Sequence, residues 1–251
     1  MNKIPLSVII ICYNEEKRIE ECLSSIYFAS EIIVVDSFST DRTMEILKQF
    51  PEIIVFQKEW KGYYEQKLFA LSKASNDWIL NLDADESLSI RLQKEIIDVV
   101  LNDQEHSGFK IPEQPYFCGK FIRHSSWYPQ YNFRLFKKSE VSMDETGIHE
   151  SFRTNGKIGK LSGEFFHFSY ENLEDYMDKL NIYTTLEAIE RINRGRRIKY
   201  YHIPTKFIQT FIRMYILKMG FLDGLEGFIL CCLSGFYEFS KFIKQKENET
   251  K

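Results

Sequence analysis

The chain has 251 residues, 44% of them hydrophobic and 27% charged, with a formal net charge of −3. That length and apolar share suffice for a buried core, which excludes a disordered chain, and the near-balanced charge gives no general reason to expect a nucleic acid partner. Five cysteines (Cys12, Cys22, Cys118, Cys231, Cys232) form no CxxC pair, which argues for a reducing compartment and against a disulfide framework or a zinc site.

In chain order, PLSVIIICY lacks a strong basic flank and a small-residue cleavage site, so it is read as a first strand and not as an export signal. Asn14 is placed as the cap of a following helix, with Glu15 and Glu16 in its first turn and Ile19, Leu23 and Ile26 as its apolar stripe. EIIVVD is a second strand ending at Asp36, after which Ser39 or Thr40 caps a helix through Met44, Ile46 and Leu47. EIIVF is a third strand, and a helix from about Gln66 to Lys73 leads to the strand WILNL. SIRLQKEIIDVVL then reads as an amphipathic helix. Strands alternating with helices predict an α/β fold with a mostly parallel sheet, helices on both faces, and a ligand crevice at the carboxyl ends of the strands.

Two of those strands end in acid. Asp36 follows one directly, and Asp83, Asp85 and Glu86 follow WILNL. A lone Asp in such a place caps a helix as readily as it binds a ligand. Clustered carboxylates repel unless a cation sits among them, and a divalent metal is the plainest candidate.

Together the segments IIICYNEE, IIVVDSFSTDRT, QKLFALSKASNDWILNLDADE and GIHES, in this order, resemble the family-2 glycosyltransferases of GT-A fold across roughly residues 4–170. Along its whole length, including YILKMGFLDGLEGF, the chain also resembles the small β-glucosyltransferases of lipopolysaccharide core biosynthesis. This resemblance implies a GT-A domain over residues 1–170 and a helical extension over 171–251. It also implies inverting transfer of a sugar, with glucose as one candidate, from a nucleotide-diphosphate donor, a UDP-sugar being favoured, to a lipid-linked saccharide such as lipopolysaccharide core. Divalent Mg2+ or Mn2+ is the implied cofactor.

The same resemblance assigns Asp36 to the base, Asp83 to the ribose or the metal shell, Asp85 to the metal and Lys67 to the diphosphate region, with Asn14 and Glu15 joining the nucleotide-sugar site. Cys12 stands where many members carry a hydroxyl residue. An inverting transfer needs one base to take the acceptor proton. MDETGIHES offers Asp144, Glu145, His149 and Glu150; the family's histidine-acid motif favours Glu150, with His149 orienting it or a substrate. Arg134 is expected either at phosphate or paired with an acid, and His167 either as a metal ligand or as a packed core histidine.

Between Arg191 and Lys218 lie eight Lys or Arg residues and no acid. Phe207, Phe211, Tyr215 and Met219 recur beside Ile208, Ile212 and Ile216, while Lys206, Gln209 and Arg213 gather on the other side, as in a helix lying at an anionic membrane surface. The apolar stretch GFILCCLSGFYEF is shorter than the roughly 20 residues needed to span. The expected location is therefore peripheral, at the inner face of the cytoplasmic membrane; packing on the catalytic domain or on a second subunit is the other reading of the same stripe. A nucleotidyltransferase would ordinarily carry a glycine-rich phosphate loop after its first strand, where this chain reads YNEEKR. A non-catalytic membrane-surface module explains the tail but leaves the strand-end acids without purpose.

Overall fold

A computed structural model describes residues 3–144, 151–196 and 202–249. In chain order its elements are β1 (Ile4–Cys12), α1 (Ile19–Ser25), β2 (Ala29–Asp36), α2 (Thr43–Leu47), β3 (Ile54–Gln57), α3 (Tyr63–Lys73), β4 (Trp78–Asp83), β5 (Glu86–Leu88) and α4 (Ile90–Asn102). There follow β6 (Gly108–Phe117), β7 (Lys120–Phe121), β8 (Gln130–Lys137), β9 (Ser142–Asp144), β10 (Ser151–Arg153), β11 (Ile158–Lys160) and β12 (Phe165–Tyr170). Three longer helices close the chain: α5 (Leu173–Asn193), α6 (His202–Ile212) and α7 (Gly224–Glu249). They form two compact units, residues 1–113 with 131–167 and residues 114–130 with 168–251.

In the first unit the strands run in the order β3-β2-β1-β4-β8-β6-β12-β5. The pairings of β1 with β2, β1 with β4 and β2 with β3 are parallel, whereas β8 joins β4 antiparallel. Alternation along β1 divides the core between the faces of the sheet. Leu6, Val8 and Ile10 pack with Ile19 and Leu23 of α1 and Leu92 and Ile96 of α4. Ile9 and Ile11 pack with Ala70 of α3 on the other face. Such buried aliphatic side chains contribute about 1.5–3 kcal/mol each, so a one-residue slip of β1 would exchange its two core faces.

The strands and α4 lie where the sequence places them, and Ser89 caps α4 by accepting from the Leu92 N–H at 3.2 Å. The caps expected for the first two helices do not form. Asn14 sits in the left-handed region at φ 56°, outside any helix, and α1 begins only at Ile19. Its side chain accepts the Thr40 N–H at 2.8 Å instead. Ser39 is drawn back to Asp36, and Asp41 accepts the Thr43 N–H at 2.9 Å ahead of α2.

The second unit packs Phe117, Ile122, Tyr176, Leu180 and Leu230 into its own core. Its hairpin is tied down by buried Asp223, which accepts the backbone N–H of Arg123 at 3.1 Å, that of His124 at 2.9 Å, and a hydrogen bond from the His124 ring at 3.0 Å. At Gly227 an added Cβ would stand 2.1 Å from the Gly220 carbonyl oxygen, so only glycine permits that approach. The helical run Gly220–Glu249 is, by length and composition alone, long and apolar enough to cross a membrane, because it begins ahead of the short apolar stretch legible in the sequence.

Candidate active site

The carboxyl ends of β1, β2 and β4 lie side by side: Cys12 is in register with Asp36, and Ile11 with Asp83. The two strand-end acids therefore flank β1 at one edge of the sheet. Asp36 is fully buried and accepts the Ser39 N–H at 3.0 Å, the Ser39 hydroxyl, and Gln57 Nε2 at 3.1 Å. Cys12 Sγ lies 3.7 Å from its Oδ1, and burial, reinforced by that carboxylate, pushes the thiol far up, so Cys12 stays protonated. Asn14 and Glu15 belong to the same loop cluster: the Asn14 N–H donates to Ser39 Oγ at 2.9 Å and that of Glu15 to Thr43 Oγ1 at 2.8 Å.

Around Asp83 the structure assembles a cationic clamp. Lys67 Nζ, from α3, lies 3.2 Å from Oδ1, and Arg134, from β8, reaches Oδ2 at 3.0 Å and Glu86 Oε1 at 2.6 Å. The guanidinium also lies over the Phe165 ring at 5.3 Å. Burial alone would raise the Asp83 carboxyl, but Lys67 and then Arg134 outweigh it and hold the group well below its ordinary value. Burial pushes Glu86 the other way, to about 8, against the pull of Arg134.

Asp85 belongs to a second cluster. His167, on β12, is in register with Glu86 of β5, which brings its ring to Asp85. Nε2 is 3.4 Å from Asp85 Oδ2, and Nδ1 is 2.6 Å from Glu113 Oε1, whose other oxygen accepts from Asn132 at 2.7 Å. Burial would depress the imidazole, but hydrogen bonds to Asp85 and Glu113 hold it well above its ordinary value and therefore charged. Glu113 is lowered overall because His167 overcomes the effect of its burial.

This arrangement separates the acids that the sequence groups together. Asp83 already serves two cations. Asp85 offers an oxygen donor and His167 an adjacent nitrogen once a metal ion displaces its Nε2 proton, and the Glu113 carboxylate behind the ring is the partner that metal-bound histidines ordinarily have. The donor set thus fits a divalent ion held by two protein ligands, with other positions left for substrate phosphate and water. No group of three or more His, Cys, Asp or Glu placed to hold a metal occurs among the described residues. Glu150, His149 and Glu145 lie outside the described residues, and of Asp144 only the backbone pairing with Ser151 is described. Glu86 adjoins the strand-end acids and is legible with them, while nothing local in the sequence marks Glu113.

The sequence profile of the family described as "Glycosyl transferase family 2" matches residues 7–155, a span that includes Asp36, Lys67, Asp83, Asp85 and Arg134. The chain belongs to that family. This family-2 glycosyltransferase is 30% identical to the lipopolysaccharide core biosynthesis glycosyltransferase LpsC of Rhizobium meliloti over 94% of this chain and 90% of the relative. It is 32% identical to an uncharacterized glycosyltransferase of Rickettsia typhi over 96% of this chain and 87% of that one. Among solved structures, the mannosyltransferase PcManGT of Pyrobaculum calidifontis, in complex with GDP-Man and Mn2+, superposes with a TM-score of 0.57 at 16% identity, covering 98% of this chain and 88% of its own. TarS 1–349 of S. aureus, in complex with UDP-GlcNAc, superposes at 0.52 with 15% identity, covering 100% and 92%. These likenesses show the GT-A fold.

Proposed function

We propose that this enzyme transfers a sugar from a nucleotide-diphosphate donor, with UDP-sugars favoured, to a lipid-linked saccharide of the lipopolysaccharide core, by inversion and with a divalent metal. The carrying observation is the Asp85–His167–Glu113 cluster beside the clamp on Asp83. The similarity to LpsC supports the acceptor class, and the nucleotide sugars bound to PcManGT and TarS support the donor class. A family match of this kind favours transfer of a glycosyl rather than a nucleotidyl group.

Each residue then has a task. Asp36 accepts from the base, and Asn14 and Glu15, in the loop hydrogen-bonded to Ser39 and Thr43, contribute to binding the nucleotide sugar. Lys67 and Arg134, near 3 Å from Asp83, fix that carboxylate for the ribose and add positive potential where the diphosphate leaves. Asp85 and His167 would hold the ion, with Glu113 fixing the ring, and the chemistry supplied there would be positive charge that offsets the negative charge developing on the departing diphosphate. Glu150, with His149 orienting it, takes the acceptor proton from the opposite face of the sugar.

Residues 205–236 support attachment to the inner face of the cytoplasmic membrane. Ile208, Ile212, Ile216, Leu217, Leu222, Leu225 and Phe228 are all exposed, Leu217 to 70%. Lys206 and Lys218 flank that apolar surface with charges suited to anionic lipid. One third of the best apolar window of the helix ending at Glu249 is buried within the protein, and its Gly227, Leu230, Cys231 and Gly235 face inward, which suits a helix lying in the interface.

The test is nucleotide release from UDP-, GDP- and CMP-sugars supplied with a lipopolysaccharide core acceptor, with and without Mn2+, by the purified protein and by Asp85→Asn. The variant should fold normally and lose most activity; full turnover by it would remove Asp85 from the reaction. Glu150→Gln should keep donor binding while turnover falls by about 100- to 10,000-fold. Retention of anomeric configuration in the product would refute a single displacement.

A further inference from the structure

The second unit contains a cavity of about 310 Å3 that none of these steps uses. Its size is at the lower end of the range for small-molecule sites. Five aromatic side chains, Trp127, Tyr170, Tyr176, Tyr183 and Tyr237, line it. The Trp127 and Tyr170 rings lie 5.8 Å apart and those of Tyr170 and Tyr176 4.9 Å apart. Tyr237 is held in place by donating to Glu187 at 2.6 Å. Ring faces of this kind pack against the C–H faces of a pyranose, while the hydroxyl and amide groups of Ser126, Gln130, Thr210 and Ser234 on the same walls offer hydrogen bonds.

Charge narrows the ligand further. Two charged side chains border the cavity, Arg213 and Glu238. Lys241 Nζ already neutralises Glu238 at 2.7 Å, whereas no carboxylate pairs with Arg213 among the described residues. An exposed guanidinium at the wall of an aromatic cavity provides a fork for a carboxylate or a phosphate. The wall itself is held in an uncommon form: Ser125 and Ser126 both adopt left-handed backbone, at φ 60° and 68°. Consecutive non-glycine residues there are strained and persist where surrounding structure holds them. Here the hydrogen bond from Ser125 N to Lys218 O at 2.9 Å and the ties of Arg123 and His124 to Asp223 supply that hold.

We propose that this cavity binds a hexose bearing an anionic substituent, carboxylate or phosphate, as a non-reacting sugar of the acceptor. This rests on the reading of the chain as a saccharide transferase. The rings receive the pyranose and Arg213 receives the anion.

The experiment is ligand-detected NMR on the full-length protein with glucuronate, glucose 6-phosphate, glucose and glycerol 1-phosphate as separate probes. Nucleotide release and UDP binding are measured on the same preparation. At least one anionic hexose should bind, with glucose about tenfold weaker; the better of the two identifies the anion as carboxylate or phosphate. Arg213→Gln should reduce the anionic hexoses to the level of glucose, Tyr183→Ala should weaken every hexose, and neither should change UDP affinity. Arg213 and Tyr183 are exposed, so both variants are expected to fold. Binding unaffected by Arg213→Gln, equal binding of glucose, or glycerol 1-phosphate matching glucose 6-phosphate would overturn the proposal, the last pointing to a lipid phosphate. Hexose binding without any nucleotide release would refute the transferase reading and leave the cavity's chemistry standing.

Discussion

Glu113 touches neither the proposed metal nor the donor, yet its removal should weaken the site measurably. Its Oε1 lies 2.6 Å from His167 Nδ1 and Asn132 holds its other oxygen at 2.7 Å, so the ring is fixed with Nε2 toward Asp85. Removing the carboxylate partner of a ligating histidine costs about 10- to 100-fold in metal affinity, equivalent to about 1.4–2.8 kcal/mol. Glu113→Gln keeps a carbonyl acceptor at the same reach and should fall near the lower figure. Glu113→Ala frees the ring and leaves Asn132 without that acceptor, so it should fall near the upper one. Calorimetric titration of Mn2+ into the UDP-saturated protein measures the change, with a thermal melt to verify folding. A Kd for Mn2+ unchanged in Glu113→Ala would refute the assignment of His167 as a ligand.

Three further outcomes are expected. Asp36→Ala should lower both nucleotide affinity and thermal stability, each by about 1–3 kcal/mol, because the buried carboxylate also accepts from Ser39 and Gln57; calorimetry and melts read the two separately, and unchanged nucleotide affinity removes Asp36 from the site. Burial would raise Glu95, but N–H donation from Gly163 and Ser162 and the Arg91 charge lower it overall, so its stabilisation is present above about pH 4.3 and lost as pH falls through the lower folded value. Glu95→Gln should therefore cost about 1 kcal/mol at neutral pH and progressively less in acid, and a melting difference that grows on acidification would contradict this. Replacing Ile212 and Ile216 together by serine should reduce sedimentation with anionic liposomes while leaving the melt nearly unchanged, since both are exposed; equal sedimentation would favour packing on a second subunit instead.

What could be read from the sequence follows from how local each signal is. The β1, β2 and β4 runs announce themselves because strands covered on both faces are continuously apolar, and Asp36 and Asp83 inherit their shared edge from parallel pairing. Asn14 misled as a cap because its side chain serves Thr40, 26 residues away, and no local pattern records that contact. Nor could the three neighbouring acids be sorted into roles. Asp83 is claimed by Lys67 and Arg134 and Asp85 by His167, partners contributed by α3, β8 and β12. The hairpin over residues 114–130 reads as nothing in particular, since its anchor lies about a hundred residues downstream.

That anchor bears on how the chain is made. Residues 114–130 leave the ribosome long before Asp223, so the backbone donors of Arg123 and His124 must wait for an acceptor while residues 131–167 complete the other unit. Loop closure over such a separation is slow relative to local helix formation, and a nascent chain passes through a stage with this apolar hairpin uncovered. The C-terminal helices are for the same reason not a detachable appendage. A chain ending before Asp223 strands Phe117 and Ile122 without the Leu230 that completes their core, and trimming aimed at a more soluble protein would instead create an aggregation-prone one.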